Sequence, residues 1–365
     1  MILHLLLDEK FSDYVISQFY AGDMFSDFVL FSPTRNLIHF HHIEKVRVVN
    51  PYNEEELQLL LPDLSNYNAV VFHGLFANWQ DWLLQRLPPD VKKAWVCWGG
   101  EIYGQPDLQY TFLKPITKIV YRLHQIISPE RRKSSIFPKE EIQKLDYCLC
   151  SMNAEYEFVK KYLQCDIKHL RYTYYSIDET VGSLKDKQSK GNNIFIGNSA
   201  TIENNHLESL LRLKRIGIGE RKIVMPLSYG FPWIRNMCLK VGYRLFGKRF
   251  TPLTEFILRE EYNAKMLDCA VMIQGHLREQ AHGNIVTGLW LGMRVYLSEK
   301  GIDYRHFKQL GCKVFSIERD LKADNPNALT PLSDDDVAYN RNILLEIYSN
   351  ENIDTLNRII VNALN

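Results

Sequence analysis

The chain has 365 residues, 46% of them hydrophobic and 12% aromatic, which suits two globular domains rather than one. Its 44 basic residues balance 43 acidic ones, so overall charge gives no pull toward nucleic acid. Seven cysteines, an odd number without a C-x-x-C pair, exclude a disulfide framework or zinc cage and fit a reducing cytoplasm.

In chain order, MILHLLL reads as a first strand, Ile2–Leu7, and not as a signal peptide, because no basic run precedes it. Further short apolar runs predict strands at Phe28–Phe31, Val46–Val49, Ala69–Phe72, Ala94–Trp98 and Tyr147–Cys150. A polar span, Ser176–Asn193, has few large apolar residues and reads as a linker. Strands resume at Ile194–Ile196, Ile223–Met225, Ala270–Ile273, Val295–Leu297 and Val314–Ser316. Helical patterns separate many of these runs, and such alternation predicts parallel sheets covered by helices. The expected organisation is a Rossmann-like domain over 1–175, a linker over 176–193, a second Rossmann-like domain over 194–333, and closing helices over 334–365. The run Asp334–Asp336 reads as the start of the first closing helix rather than as a metal site. No apolar run approaches the ~20 residues that span a bilayer.

In doubly wound sheets, ligands bind beyond the carboxyl ends of the strands. Those positions carry His73 and Gly74 after the fourth strand, and Gly99, Gly100 and Glu101 after the fifth. In the second half they carry Gly197, Asn198, Ser199 and Thr201, then Tyr229, then Arg278, Glu279, Gln280, Gly283 and Asn284. Gly197 permits close backbone approach, Asn198 and Ser199 offer donors, and a helix beginning near Asn204 is expected to aim its N-terminus at the same place. His282–Asn284 repeats that design, and Arg278 adds a fixed positive charge. Together they suit a diphosphate, hence a nucleotide. Asn, Ser and Thr before a helix are also ordinary caps, and His206 reads as a helix-face residue. No G-x-G-x-x-G follows a strand and no Walker A sequence occurs, which speaks against dinucleotide binding and against P-loop chemistry.

Five stretches, FHGLFANWQDWL, WGGEIY, FIGNSATIENNHLESL, VMPLSYG and REQAHGNIVTGLWLGMRVYL, occur in an order and spacing that resembles glycosyltransferase family 56. These are the TDP-N-acetylfucosamine:lipid II N-acetylfucosaminyltransferases. The resemblance runs through most of the chain. It implies a GT-B fold, two Rossmann-like domains facing a central cleft, with the acceptor on the first domain and the nucleotide sugar on the second. It also implies inversion at the anomeric carbon, no metal and no other cofactor. Ala200–Thr201 and Arg278–Glu279–Gln280 depart from the family's pattern, at positions that bear on the sugar and the base.

A direct displacement needs a general base on the first domain. Glu101 is the first candidate and His73 the second, with the glycines around Glu101 expected to open it to the cleft. Gly197, Asn198, Ser199, Thr201, Arg278, Gln280, Gly283 and Asn284 are expected at the diphosphate, with Tyr229 and Glu279 at base or sugar. A lipid-linked saccharide acceptor implies contact with an anionic membrane surface and a peripheral place on the cytoplasmic side of a bacterial inner membrane. Two basic amphipathic segments, Lys114–Lys144 and Pro232–Phe250, are expected to supply that contact or else to turn their apolar faces inward. The alternatives are a GT-B enzyme using a UDP- or GDP-sugar for capsule or O-antigen, and a non-catalytic sugar-nucleotide-binding protein. Nucleic acid is not an expected partner.

Overall fold

A computed structural model describes residues 1–20, 26–34, 36–128 and 136–365. The chain forms two compact units. The first comprises Met1–Asp107, Lys133–Ser176 and Asn350–Asn365, the second Leu108–Arg132 and Ile177–Ser349.

The first unit holds β1 (Ile2–Leu7), β2 (Ser26–Phe31), β3 (Arg47–Val49), β4 (Ala69–His73), β5 (Lys92–Val96), β6 (Tyr147–Cys150) and β7 (Lys168–Arg171). They form one sheet in the order β3-β2-β1-β4-β5-β6-β7, every pair parallel. The central strands read as unbroken apolar runs because helices cover both faces, and all five residues of β4 are buried. The second unit holds β8 (Asn193–Ile196), β9 (Ile223–Pro226), β10 (Phe250–Leu253), β11 (Cys269–Gln274), β12 (Arg294–Leu297) and β13 (Phe315–Ser316). Their order, β10-β9-β8-β11-β12-β13, repeats the first, again all parallel.

This is the α/β, two-Rossmann-unit architecture of the GT-B fold. In each sheet the strand order reverses direction next to its first strand, between β1 and β4 and between β8 and β11. Such switch points open a crevice at the carboxyl ends of the strands.

Three details differ from the sequence expectation. The span 176–193 is partly helical. Ile177–Val181 is a helix and Gly182–Leu184 a 3₁₀ turn, and Ile177, Val181 and Leu184 are buried in the core of the second unit. The two closing helices part company. Asp334–Tyr348, capped by Ser333 accepting from the Asp336 amide, packs on the second unit, whereas Asn350–Leu364 buries Ile360 and Leu364 in the core of the first. The helix Pro115–Ile127 belongs to the second unit, where Glu208 accepts from the Thr117 amide at 2.9 Å and from its hydroxyl at 2.5 Å.

Candidate active site

At the switch point of the second unit, the turn after β8 folds over itself. The Gly197 backbone has a φ of +65°, and a side chain there would collide with the His206 ring. Packing inside the turn by itself requires the glycine. Asn204 is buried and donates through Nδ2 to the Ser199 carbonyl (3.1 Å), the Ser199 hydroxyl (3.0 Å) and the Thr201 hydroxyl (2.9 Å). His206 is buried against the Ser199 carbonyl at 2.7 Å, and burial lowers its pKa to about 4, so it is neutral. The helix His206–Ile216 follows directly. Asn205 before it holds the Lys114 amide and the carbonyls of Phe112 and Gly275.

What the turn does present is Asn198. Its Nδ2 donates to the Tyr229 hydroxyl at 3.1 Å and its Oδ1 accepts from Gln280 Nε2 at 2.9 Å. Gln280 Nε2 also reaches the Thr201 hydroxyl at 3.2 Å. The turns after β8 and β9 are zipped together as well, by Ala200 N to the Tyr229 carbonyl and Phe231 N to the Ala200 carbonyl, both 2.8 Å. Asn198, Ser199, Thr201, Tyr229 and Gln280 thus form one network drawn from the ends of β8, β9 and β11. Gln280 is only 7% exposed, and its Oε1 has no hydrogen-bond partner among the described residues. A buried acceptor left open in this way calls for a donor from outside the protein.

Arg278 donates to the Glu279 carbonyl at 2.8 Å and lies close enough to Tyr229 to act on its hydroxyl. Burial raises the Tyr229 pKa, with Asn198, Ser199 and the Arg278 charge pulling the other way. The helix His282–Trp290 starts after Ala281 in a left-handed conformation, and Gly283 in its first turn is open on its Cβ side. The first amides of any helix lack intrahelical partners and carry partial positive charge. Asn284 donates to the Tyr262 hydroxyl at 2.8 Å, and Tyr262 lies close enough to Tyr229 for the two hydroxyls to act on each other.

In the first unit both candidate bases are buried. Glu101 is 1% exposed, and its Oε1 accepts from the Trp95 indole at 2.6 Å and from the Trp98 amide at 3.1 Å. The glycines before it do not open it to solvent. They shape the turn that folds Glu101 back under Trp98, with Gly99 at φ +86°. Burial pushes its pKa up to about 7, against the pull of backbone amides and the Trp95 indole. Its Oε2 makes no hydrogen bond of ordinary geometry among the described residues. His73 is buried with both ring nitrogens engaged, Nε2 at 3.1 Å from His4 Nδ1 and Nδ1 at 2.9 Å from the Tyr174 hydroxyl. Trp98 Nε1 donates to that hydroxyl at 2.7 Å, so Tyr174 donates to His73 Nδ1 and His73 Nε2–H donates to His4. Burial first, and His4 second, hold the His73 pKa well below its ordinary value. This relay runs across the β1/β4 switch point and is neutral.

The same sheet edge carries an exposed base that no sequence spacing marks. His41 Nδ1 lies 2.7 Å from Asp13 Oδ2, and the His41 amide donates to Asp13 Oδ1 at 3.0 Å. The His41 side chain is 77% exposed. Asp13 sits in the helix Ser12–Phe19 that follows β1, and His41 in the segment between β2 and β3. Burial raises the Asp13 pKa, but the bonds and charge from His41 outweigh it, so the carboxylate stays ionised.

Neither a family model nor a curated protein matches the sequence. Solved structures do. A glycosyltransferase from Rickettsia africae ESF-5 shares 12% identity over all of this chain and 98% of its own, with a TM-score of 0.63. Sucrose-phosphate synthase from Thermosynechococcus elongatus shares 11% over 100% and 99%, with a TM-score of 0.63. HepE from Anabaena, in complex with UDP and glucose, shares 12% over 100% and 99%, with a TM-score of 0.59. At such identities the likeness is one of fold.

The two amphipathic segments divide. The helix Pro232–Phe246 turns Ile234, Cys238 and Phe246 into the core, so its apolar face is not free for a membrane. The helix Pro115–Ile127 buries only Thr117 and Tyr121 and leaves Ile119 59%, Ile126 77% and Ile127 83% exposed. Arg131, Arg132 and Lys133 of the expected basic run lie outside the described residues. Among the described residues no helix is long and apolar enough to cross a membrane.

Proposed function

We propose that the protein is an inverting glycosyltransferase that moves a sugar from a nucleoside diphosphate donor to a lipid-linked saccharide. The observation that carries this is the open acceptor of Gln280 within the Asn198–Thr201–Tyr229 network, beside Arg278 and the N-terminus of the helix His282–Trp290. A nucleotide sugar offers hydroxyl donors to the first and a diphosphate to the second. In HepE a fold of this kind holds UDP and glucose. The donor is a TDP-linked deoxyaminosugar, of which N-acetylfucosamine is the member the motif resemblance favours, and the acceptor belongs to cell-envelope polysaccharide synthesis.

In the displacement, the acceptor hydroxyl attacks the anomeric carbon as the bond to the diphosphate oxygen breaks. The electron pair leaves on the diphosphate, whose charge Arg278 and the helix amides meet. The acceptor proton goes to His41 Nε2, with Asp13 holding the ring by Nδ1 and stabilising the imidazolium. Glu101 and His73, the bases expected from the sequence, are both buried, and this reading gives them a supporting part beside His41.

The exposed apolar stripe of the helix Pro115–Ile127, flanked by Lys118 and Arg122, rests on an anionic bilayer and keeps the protein peripheral on the cytoplasmic face. The test of the donor is thermal unfolding with TDP, UDP and GDP. A ligand that binds only the folded state stabilises it by about 2.7 kcal/mol at a hundredfold excess over its dissociation constant. The largest shift is expected with TDP. A larger one with UDP or GDP replaces the donor, and none in a folded sample removes the nucleotide-sugar reading.

A further inference from the structure

A cavity of about 680 Å³ in the second unit shares no residue with the Asn198 network. It lies past the carboxyl ends of β12 and β13, between the helix His206–Ile216 and the chain entering the helix Pro115–Ile127. Its wall has two chemistries. Leu113, Ile116, Leu211, Leu277 and Ile317 make an apolar floor. Lys114, Arg212, Arg215 and Lys300 face three acids, Glu208, Glu299 and Glu318.

The acids are already engaged. Glu208 holds Thr117, Glu299 pairs with Arg319 at 3.1 Å, and Glu318 pairs with Lys114 at 2.9 Å. Burial raises the Glu318 pKa, and Lys114 with the Glu299 amide more than reverses this, so that pair is ionised. Arg212 gives Nη1 to the Leu321 carbonyl at 3.2 Å. Arg215 and Lys300 make no hydrogen bond or ion pair among the described residues. The cavity therefore keeps two uncommitted cations and a partly committed third at the rim of an apolar pocket. Ile116 joins that pocket to the exposed stripe of Ile119, Leu123, Ile126 and Ile127.

We infer that this cavity binds an amphiphilic anion, a phosphate-headed lipid. Arg215, Lys300 and Arg212 meet the phosphate, while the first carbons of the chain lie on Leu211, Leu277 and Ile317. The volume falls within the 300–1,000 Å³ range of small-molecule sites and suits a chain of modest length rather than a sugar, which would leave the apolar floor unused. This deepens the proposed function, on which it rests for its biological ligand: the lipid diphosphate of the acceptor. The chain would leave the cavity at Ile116 and continue along the stripe toward the bilayer.

The probe is farnesyl diphosphate, titrated calorimetrically into the intact protein below its micelle-forming concentration, with inorganic pyrophosphate and farnesol as controls. Farnesyl diphosphate is expected to bind at micromolar concentration, at least tenfold more tightly than either control. R215A/K300A and, separately, Leu211→Glu are expected to weaken it tenfold or more. No binding, equal binding of pyrophosphate, or affinity unchanged in both variants overturns the proposal. Thermal shift with TDP on the same samples separates the two readings. A lipid phosphate that binds where no nucleotide does leaves the cavity standing without the transferase, and the reverse leaves the transferase without this cavity as its lipid site.

Discussion

Gln280 Nε2 donates to Asn198 Oδ1 at 2.9 Å across the β8/β11 switch point. The two residues stand 82 positions apart, and each lies just past the end of its strand. Their bond ties the two loops that the strand order separates. It also fixes the Gln280 amide in an orientation that leaves Oε1 as the open acceptor.

Replacing Gln280 by Ala removes the bonds to Asn198 and Thr201 together with that acceptor. Only the acceptor bond is made to the donor, and at about 1 kcal/mol its loss is expected to lower donor affinity about fivefold. Calorimetric titration with TDP reads this directly. An unchanged dissociation constant in a folded variant would separate Gln280 from the donor.

Glu101 gives a pH dependence of stability. Its carboxyl is pushed up from 4.5 to about 7 in the folded state, so across that interval the unfolded chain ionises while the folded one keeps its proton. Its contribution to stability is complete below about pH 4.5 and is lost as pH rises through 7. The loss is on the order of 3 kcal/mol. Urea unfolding at pH 5 and pH 8 should show Glu101→Gln gaining on the wild type at the higher pH. Parallel curves for the two proteins would mean that the buried carboxyl is not perturbed.

The architecture was legible because central parallel strands are continuous apolar runs, as in Ile2–Leu7 and Ala69–Phe72. The two strands that escape a sequence reading, β7 (Lys168–Arg171) and β10 (Phe250–Leu253), are edge strands. One is half charged and the other carries Pro252, which edges tolerate and centres do not. At the site, Asn198, Ser199, Thr201, Tyr229 and Gln280 come together because position after a strand is a property of the sequence. Burial is not. Nothing in WGGEIY tells whether Glu101 points to solvent or to Trp95, and the glycines before it serve the second outcome. The Asp13–His41 pair was invisible for another reason: it joins the first turn of the helix Ser12–Phe19 to the segment between β2 and β3, and no motif spacing encodes such a contact.

His41→Ala is expected to lower kcat about a hundredfold, within the 10²–10⁴ range of general base catalysis, with little change in donor affinity. Asp13→Asn keeps the shape and removes the charge behind the ring, so it should lower kcat less. The split matters, because a surface pair that only steadies the loop would leave kcat intact. Activity retained in His41→Ala, measured as released TDP, would assign the proton to another group.

The helix Pro115–Ile127 leads to a salt-dependent prediction. Its inward face is secured by Tyr121 and by Thr117 on Glu208, so charge placed on the outer face should not unfold it. Leu123 and Ile126 are 54% and 77% exposed, and L123E/I126E puts two carboxylates where the stripe would meet lipid. Sedimentation with vesicles containing phosphatidylglycerol is expected to pull down the wild type at low salt and less of it at 0.5 M, where the Debye length is only a few ångströms. Each basic residue near such a surface contributes about 1 kcal/mol, so Lys118 and Arg122 alone supply only a weak attraction that salt removes. The double variant is expected to stay in the supernatant at either salt concentration while keeping its TDP-induced thermal shift. Co-sedimentation of variant and wild type to the same extent would mean that the stripe does not touch the membrane.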